Sequence, residues 1–312
     1  MSWDVITSGY VSLDRIIKIR SPARIGFTSL ISNADNSKTY FGGCSINIAW
    51  QLARLGLRTL PIVRMGFDYA SSGFRDFLEQ GGVCTDAIEI IENDMTSNCY
   101  LIEDPEGEHI TLFYTGAQDS KYFHPIPEQF FENVRIGVLT VGSVLDNIDF
   151  FNKCLKHNVD IVFGMKADFD AFPLSFLHDA LYQSTLIFTN QNERILIEQH
   201  LGLLSLSDLL DIGKAKIIIT TLGAEGSYFQ EKKNGSIISE SIPAKKRFAL
   251  VDTTGAGDAY IAGFIYGFLN GYDTNSCCKF GSIMSSFSIA KMGSCTGAPT
   301  KQELMHQFET GE

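Results

Sequence analysis

Residues 251–260, Val-Asp-Thr-Thr-Gly-Ala-Gly-Asp-Ala-Tyr, constrain this chain more than any other stretch of it. Phe248, Ala249, Leu250 and Val251 lead into it as an apolar, strand-like run. Residues 261–269 follow as an apolar run of helix length. The decapeptide therefore sits where a strand is expected to hand over to a helix. Gly255 and Gly257 let the backbone turn tightly and bring N–H groups close to a ligand. The helix that follows points its positive end at the same spot. Together they make an anion hole suited to phosphate. Asp258 then sets a carboxylate at the edge of that hole. Such a charge is repulsive there unless it has a task, and the chemical task is to accept a proton from a hydroxyl that attacks the phosphate.

Other readings of a Gly-x-Gly turn are a plain strand–helix connection and a dinucleotide fingerprint. The fingerprint needs a third glycine where this chain has Tyr260. Asp273 lies at the distance of a ribose-binding acid, but it follows Asn270, Gly271 and Tyr272, which read as a helix end. No GxxxxGK[ST] occurs anywhere, which excludes a P-loop.

The 312 residues suit one large α/β domain or two small ones, and the 45% hydrophobic and 20% charged content is that of a globular enzyme. A net charge of −11 argues against nucleic acid as a partner, which needs a basic surface. It leaves room for an anionic substrate held in a local anion hole. Seven scattered cysteines, an odd number without CxxC, fit reduced thiols better than a disulfide frame or a zinc site. The first residues lack a basic secretory leader, and no apolar run approaches the length of a membrane span. The expected location is the cytoplasm, with no membrane contact.

Strand and helix patterns alternate along the chain. Strands are expected at 5–9, 60–63, 136–141, 160–163, 185–189 and 216–221. Helical spacing appears at 46–53, with Gly56 as its C-cap, at 74–78 and 148–155, and near 256–270, 275–292 and 301–309. Such alternation predicts a mostly parallel central sheet with helices on both faces, a three-layer α/β/α domain spanning 1–312. Two stretches, 16–41 and 87–115, carry short β-type runs without helical spacing, including 88–91, 98–102 and 109–114. They are expected to form a small inserted sheet.

A second glycine-rich turn, Gly42-Gly43, precedes a helix. Asn47 lies one turn into that helix and offers a donor and an acceptor to sugar hydroxyls. Asp14 lies just past the first strand, where a carboxylate can accept two vicinal hydroxyls. Taken singly, each has a structural reading as turn or cap.

Four segments together carry a resemblance. Residues 252–258 (Asp-Thr-Thr-Gly-Ala-Gly-Asp) resemble the C-terminal motif of the ribokinase/PfkB kinase family. Residues 42–56, from Gly42-Gly43-Cys44-Ser45-Ile46-Asn47 to Leu55-Gly56, resemble its N-terminal motif. Asn190-Gln191-Asn192-Glu193 resembles its N-x-x-E element, and residues 220–226 (Thr-Thr-Leu-Gly-Ala-Glu-Gly) its nucleotide loop. They occur in the family order and span nearly the whole chain.

The resemblance implies a ribokinase-like fold and an ATP-dependent kinase that moves the γ-phosphate to a primary hydroxyl of a sugar or nucleoside. It makes Asp258 the base and the N–H groups of Gly255, Ala256 and Gly257 the anion hole. Asp14, Gly42, Gly43 and Asn47 bind the acceptor, and Thr220, Gly223 and Gly226 contact ATP. Asn190 and Glu193 hold Mg2+ through waters. Read without the family, 190–193 is a helix cap and 220–226 a β-hairpin turn. The inserted sheet becomes a lid over the sugar, one that pairs between subunits in many members, so a homodimer is an expectation. Residues 291–299 are a candidate K+ loop, with an ordinary glycine-rich loop as the alternative.

Two departures bear on the acceptor. Cys44 stands where ribokinase-like members often carry lysine, and Gly164-Met165-Lys166-Ala167-Asp168 replaces an Asp-Pro or Asn-Pro, leaving Lys166 and Asp168 without a role. Gly-Gly-Cys, together with Phe113-Tyr114-Thr115-Gly116-Ala117, leans towards the nucleoside-kinase branch. A catalytically dead sugar-binding relative is the other reading within the family, and a dinucleotide oxidoreductase the one outside it.

Overall fold

The computed structural model describes residues 2–106, 109–166, 168–245 and 249–311. The chain opens with β1 (Trp3–Ser8), β2 (Ser12–Lys18), β3 (Tyr40–Gly42), α1 (Cys44–Arg54), β4 (Thr59–Pro61), β5 (Val63–Gly66) and α2 (Phe74–Gln80). It continues through β6 (Ile88–Ile91), β7 (Asn98–Glu103), β8 (His109–Tyr114), β9 (Val134–Leu139), α3 (Val144–Lys156) and β10 (Asp160–Gly164). Next come α4 (Leu174–Gln183), β11 (Leu186–Asn190), α5 (Gln191–Leu201), α6 (Leu209–Ile212), β12 (Ile217–Thr221), β13 (Ser227–Lys233) and β14 (Ser236–Ile242). The chain closes with α7 (Ala256–Leu269), α8 (Thr274–Ser288) and α9 (Lys301–Thr310).

The main sheet has the order β14-β13-β12-β11-β10-β9-β1-β4. It is parallel from β12 to β4 and turns antiparallel at the β12–β13–β14 edge. Side chains alternate across a strand, and that alternation builds two cores here. Val5, Val162, Leu186, Phe188, Ile217 and Ile219 face α1, α7, α8 and α9. Ile6, Ile161, Phe163, Ile187 and Ile218 face α3, α4, α5 and α6 on the other side. Continuous β-branched runs such as Ile217-Ile218-Ile219 are what a strand buried on both faces requires. Helix α7 is apolar nearly all round because it is pressed between sheet and α8. A Cβ on Gly263 would lie 2.5 Å from the Phe280 carbonyl oxygen, so only glycine lets α7 and α8 approach this closely.

A separate four-stranded sheet, β3-β2-β7-β8, leaves the main sheet at the C-terminal end of β1. Ile88–Ile91 does not belong to it. As β6 it pairs in parallel with β5 as a two-stranded sheet of its own. Within 16–41 only the ends are in strands; the connection between them holds one isolated bridge, Ile19 to Ile31.

The strand expected at 248–251 does not form over its described part; Phe248 lies outside the described residues. Ala249, Leu250 and Val251 are exposed and irregular, and the N–H groups of Val251 and Asp252 instead donate to the Ile289 carbonyl. That pairing with the end of α8 stands in place of a strand ladder. Helices α4 and α6, the body of α5 beyond its 190–193 cap, and the β13–β14 hairpin are elements the sequence pattern did not announce.

Candidate active site

The C-terminal ends of β1, β9, β10, β11 and β12 share one edge of the sheet, the edge at which ligands bind in open α/β folds. The 252–258 loop, expected from the sequence to form an anion hole, lies there. Gly255 is the N-cap of α7 with φ +76°, and an added Cβ would lie 2.5 Å from Ser294 Cβ. A Cβ on Gly257 would meet nothing within 4 Å, so this residue faces open space. Ala256 N–H turns back to the Thr253 carbonyl at 3.2 Å, while the N–H groups of Gly255 and Gly257 have no partner among the described residues. The loop is braced by Asp252, whose Oδ1 accepts from Thr254 N–H (2.9 Å) and whose Oδ2 accepts from Gly293 N–H (2.8 Å). That second bond ties it to residues 291–297, where Ser294 Oγ is buried without a partner.

Asp258 lies in the first turn of α7 and is buried. Asn47 Nδ2 donates to its Oδ2 at 2.7 Å, and Cys295 Sγ donates to Asn47 Oδ1 at 3.4 Å. The thiol thereby fixes which way the Asn47 amide faces. This gives Asn47 a role on the carboxylate itself, which its reading as a binder of sugar hydroxyls did not include. Cys44, at the start of α1, also faces Asp258. Burial first, and then Asp258, push its thiol up to about 12, so it is neutral at physiological pH.

Asp14 is the third residue of β2 rather than a residue beyond a strand end, and it is buried. Its Oδ1 has no hydrogen-bond partner. Burial pushes its carboxyl up to about 6; the Ser12 hydroxyl and the Lys166 ammonium pull the other way. An unpaired buried carboxylate costs several kcal/mol unless something compensates it, so this oxygen is arranged for donors that the chain itself does not supply. Gly42 is required beside it, because a Cβ there would lie 2.2 Å from Asp14 Oδ2. Gly43 has φ +95°, and its Cβ would strike the Tyr10 carbonyl at 2.2 Å. The two glycines thus seat α1 against β2 and bring Asn47 and Asp14 to one cleft.

On the β11–β12 side, Asn190 and Glu193 form a full capping box on α5: Asn190 Oδ1 accepts from Glu193 N–H (2.9 Å), and Glu193 Oε2 accepts from Asn190 N–H (2.8 Å). Burial raises the Glu193 carboxyl. Thr220 is fully buried, its hydroxyl 3.3 Å from that of Thr189. The 222–226 turn does close a hairpin, pairing Thr221 with Ser227. A Cβ on Gly226 would lie 2.1 Å from the Ile242 carbonyl, whereas Gly223 opens to free space. Lys166, two residues past β10, is exposed in the cleft and interacts with Cys44, Asp258, Glu193 and Asp14. Asp168 organises its own turn, its Oδ1 accepting from Asp170 and Ala171 N–H. A separate cavity of about 280 Å³ between β1 and α3 has its polar groups, Arg64, Asp146, Ser8 and Asn147, paired with one another.

The pfkB family carbohydrate kinase profile matches residues 5–301. The chain belongs to that family. It is accordingly a kinase, a phosphotransferase with an alcohol group of a sugar or nucleoside as acceptor. It is 27% identical over 307 residues to a nucleoside kinase of Methanothermobacter thermautotrophicus, covering 98% of this chain and 95% of that one. A ribokinase of Schizosaccharomyces pombe is 25% identical over 320 residues, covering 98% of both. Among solved structures, the Methanocaldococcus jannaschii nucleoside kinase superposes with a TM-score of 0.83 at 23% identity over 99% of both chains. The Burkholderia thailandensis nucleoside kinase in complex with inosine gives 0.84 at 22% identity over 98% of both. These likenesses establish the ribokinase-like fold: a large, mostly parallel sheet between helices, with a small separate sheet.

Proposed function

We propose that this PfkB kinase is ATP- and Mg2+-dependent and acts on the primary hydroxyl of a nucleoside's ribose. The observation that carries this reading is the unpaired Asp14 oxygen, buried across the cleft from Asp258. A ribose presents two vicinal hydroxyls that can donate to Asp14, and this leaves its primary hydroxyl free to point at Asp258. The ring of Tyr10 packs on Phe113 at 4.8 Å, and Phe113 keeps an exposed face. An aromatic surface beside a sugar site suits a base that stacks, which supports a nucleoside over a free sugar. Nucleoside kinases also stand among the relatives.

In this reading the acceptor oxygen attacks the γ-phosphorus while Asp258 takes its proton. The N–H groups around Gly255 and Gly257, with the N-terminus of α7, hold the phosphoryl oxygens. A loose transition state needs little activation of the nucleophile, so a carboxylate suffices as base and positioning carries the rate. Mg2+ would ride on the phosphates and neutralise them. Glu193 suits it as an outer partner: Oε2 is used in the cap, and the second oxygen can orient a metal-bound water. Thr220, Gly223 and Gly226 line the nucleotide side, with Gly223 giving the open approach. A K+ ion beside the loop would rest on Asp252, carbonyls of 291–299 and the orphan Ser294 hydroxyl. The β3-β2-β7-β8 sheet serves as a lid over the acceptor, with a homodimer through its edge as the assembly, in the cytoplasm. Among the described residues no helix is long and apolar enough to cross a membrane.

The test is ADP release with ATP, magnesium and a panel of ribose, adenosine, inosine and other nucleosides. Asp258→Asn keeps an acceptor oxygen for Asn47, so it should fold and bind ATP while kcat drops by several orders of magnitude. Near-normal turnover in that variant removes Asp258 from the role of base. Ribose as the preferred acceptor would overturn the nucleoside assignment.

A further inference from the structure

The cleft gathers three carboxylates, Asp14, Asp258 and Glu193, and Lys166 is the basic side chain whose charge faces all three. Its place follows from topology. Strand β10 runs between β9 and β11, so the residues past its end stand midway between the acceptor side (β1 leading to β2) and the nucleotide side (β11, β12). The strand end is pinned next to the catalytic helix: a Cβ on Gly164 would lie 3.0 Å from Cδ1 of Ile261, three residues after Asp258 in α7. The backbone at Lys166 is held on both sides. Met165 N–H donates to the Phe188 carbonyl (3.1 Å), and Asp168 N–H donates to the Lys166 carbonyl (2.7 Å). The ammonium itself makes no hydrogen bond or contact ion pair with any described residue, and the side chain is exposed in the cleft.

A lysine with a structural task closes onto a carboxylate. This one is surrounded by them and closes on none. Its ammonium is held above its ordinary value by Cys44, Asp258, Glu193 and Asp14, against desolvation. Cys44 is a neutral thiol at physiological pH, so the carboxylates are the charges it meets. Position 44, a neutral thiol, supplies no cation at the start of α1.

Phosphoryl transfer spreads negative charge over three equatorial oxygens, and a cation fixed against them is among the largest catalytic contributions available. We propose that Lys166 is a catalytic residue whose ammonium, reaching from the centre of the sheet edge, contacts the phosphoryl group as it passes from nucleotide to acceptor. This rests on the reading of the 255–258 loop as the phosphate site. In the step, the acceptor O–P bond forms and the bond to the ADP oxygen breaks. The alcohol proton goes to Asp258, and Lys166 keeps its own proton throughout.

Lys166→Met, Lys166→Arg and Asp258→Asn test it, with ADP release on the ribose and nucleoside panel, thermal melting, and calorimetry of ADP and a non-hydrolysable ATP analogue. Lys166→Met should lower kcat by about 10²–10³-fold, with melting nearly unchanged. It should also erode the preference for the ATP analogue over ADP, a readout that needs no acceptor and that a merely structural lysine would not move. Lys166→Arg should recover at least about tenfold of the lost rate, since it restores the charge. The proposal falls if Lys166→Met keeps kcat within about threefold of the parent, or loses rate with the ATP-to-ADP preference intact. Should Lys166→Met not fold, Lys166→Gln is judged by the same criteria. Normal turnover in Asp258→Asn beside a slow Lys166→Met would remove Asp258 as base and leave Lys166 standing; the reverse would do the opposite.

Discussion

Asp14→Asn should separate stability from function. The Asp14 carboxyl is pushed from about 3.8 to about 6, chiefly by burial. One unit corresponds to about 1.4 kcal/mol, so keeping this group ionised near pH 8 costs the folded state about 3 kcal/mol. The folded form binds the proton more tightly than the unfolded chain. The cost is therefore absent below pH 4, grows as pH rises between about 4 and 6, and is constant above that. Asparagine carries no charge to desolvate, but it leaves an amide donor to satisfy at about 1–3 kcal/mol. The expected net gain is up to about 2 kcal/mol at pH 8, or up to about 3 °C in melting temperature for a chain of this length, and nothing or a small loss at pH 4. The same variant should lose acceptor binding. In the parent protein, acceptor KM should rise as pH falls through about 6, because hydroxyl donors need the carboxylate. Melting scans of both proteins at pH 4 and pH 8, with calorimetry against the best acceptor, decide the matter. A variant less stable than the parent at pH 8, or equally displaced at both pH values, refutes the reasoning.

Gly257→Ala adds a methyl into open space at the start of α7. Alanine is preferred in helices by up to about 1 kcal/mol, so melting should hold or rise while kcat falls because the methyl sits where a phosphoryl oxygen belongs; unchanged turnover would place the phosphate elsewhere. Glu193→Gln retains the reciprocal cap on Asn190, so stability should barely move, but the magnesium concentration for half-maximal rate should rise about 10-fold or more. An unaltered magnesium curve would leave Glu193 as a helix cap alone.

The 255–258 turn was legible because its demands are local. Two glycines, an aspartate and an apolar run mark a tight turn into a helix N-terminus whatever surrounds them. The parallel sheet was legible because strands such as 217–221 are buried on both faces and read as continuous apolar runs. Helix α5 was not, because among its residues only Glu193 and Ile197 are buried, which leaves no apolar stripe to detect. Ala249, Leu250 and Val251 misled for the opposite reason: an apolar run reads as a strand until its backbone is seen to bond to the end of α8 instead. The bond from Asn47 to Asp258 and the placing of Lys166 depend on which strands lie side by side. No spacing along the chain encodes that. A lysine two residues past a central parallel strand is nevertheless worth inspecting in any sequence of this kind.

Asn47 and Asp258 are 211 positions apart, and Cys295, which orients the amide, comes later still. A ribosome must therefore release nearly the entire polypeptide before the Asn47–Asp258 bond can close, so the cleft is among the last parts of the molecule to be completed.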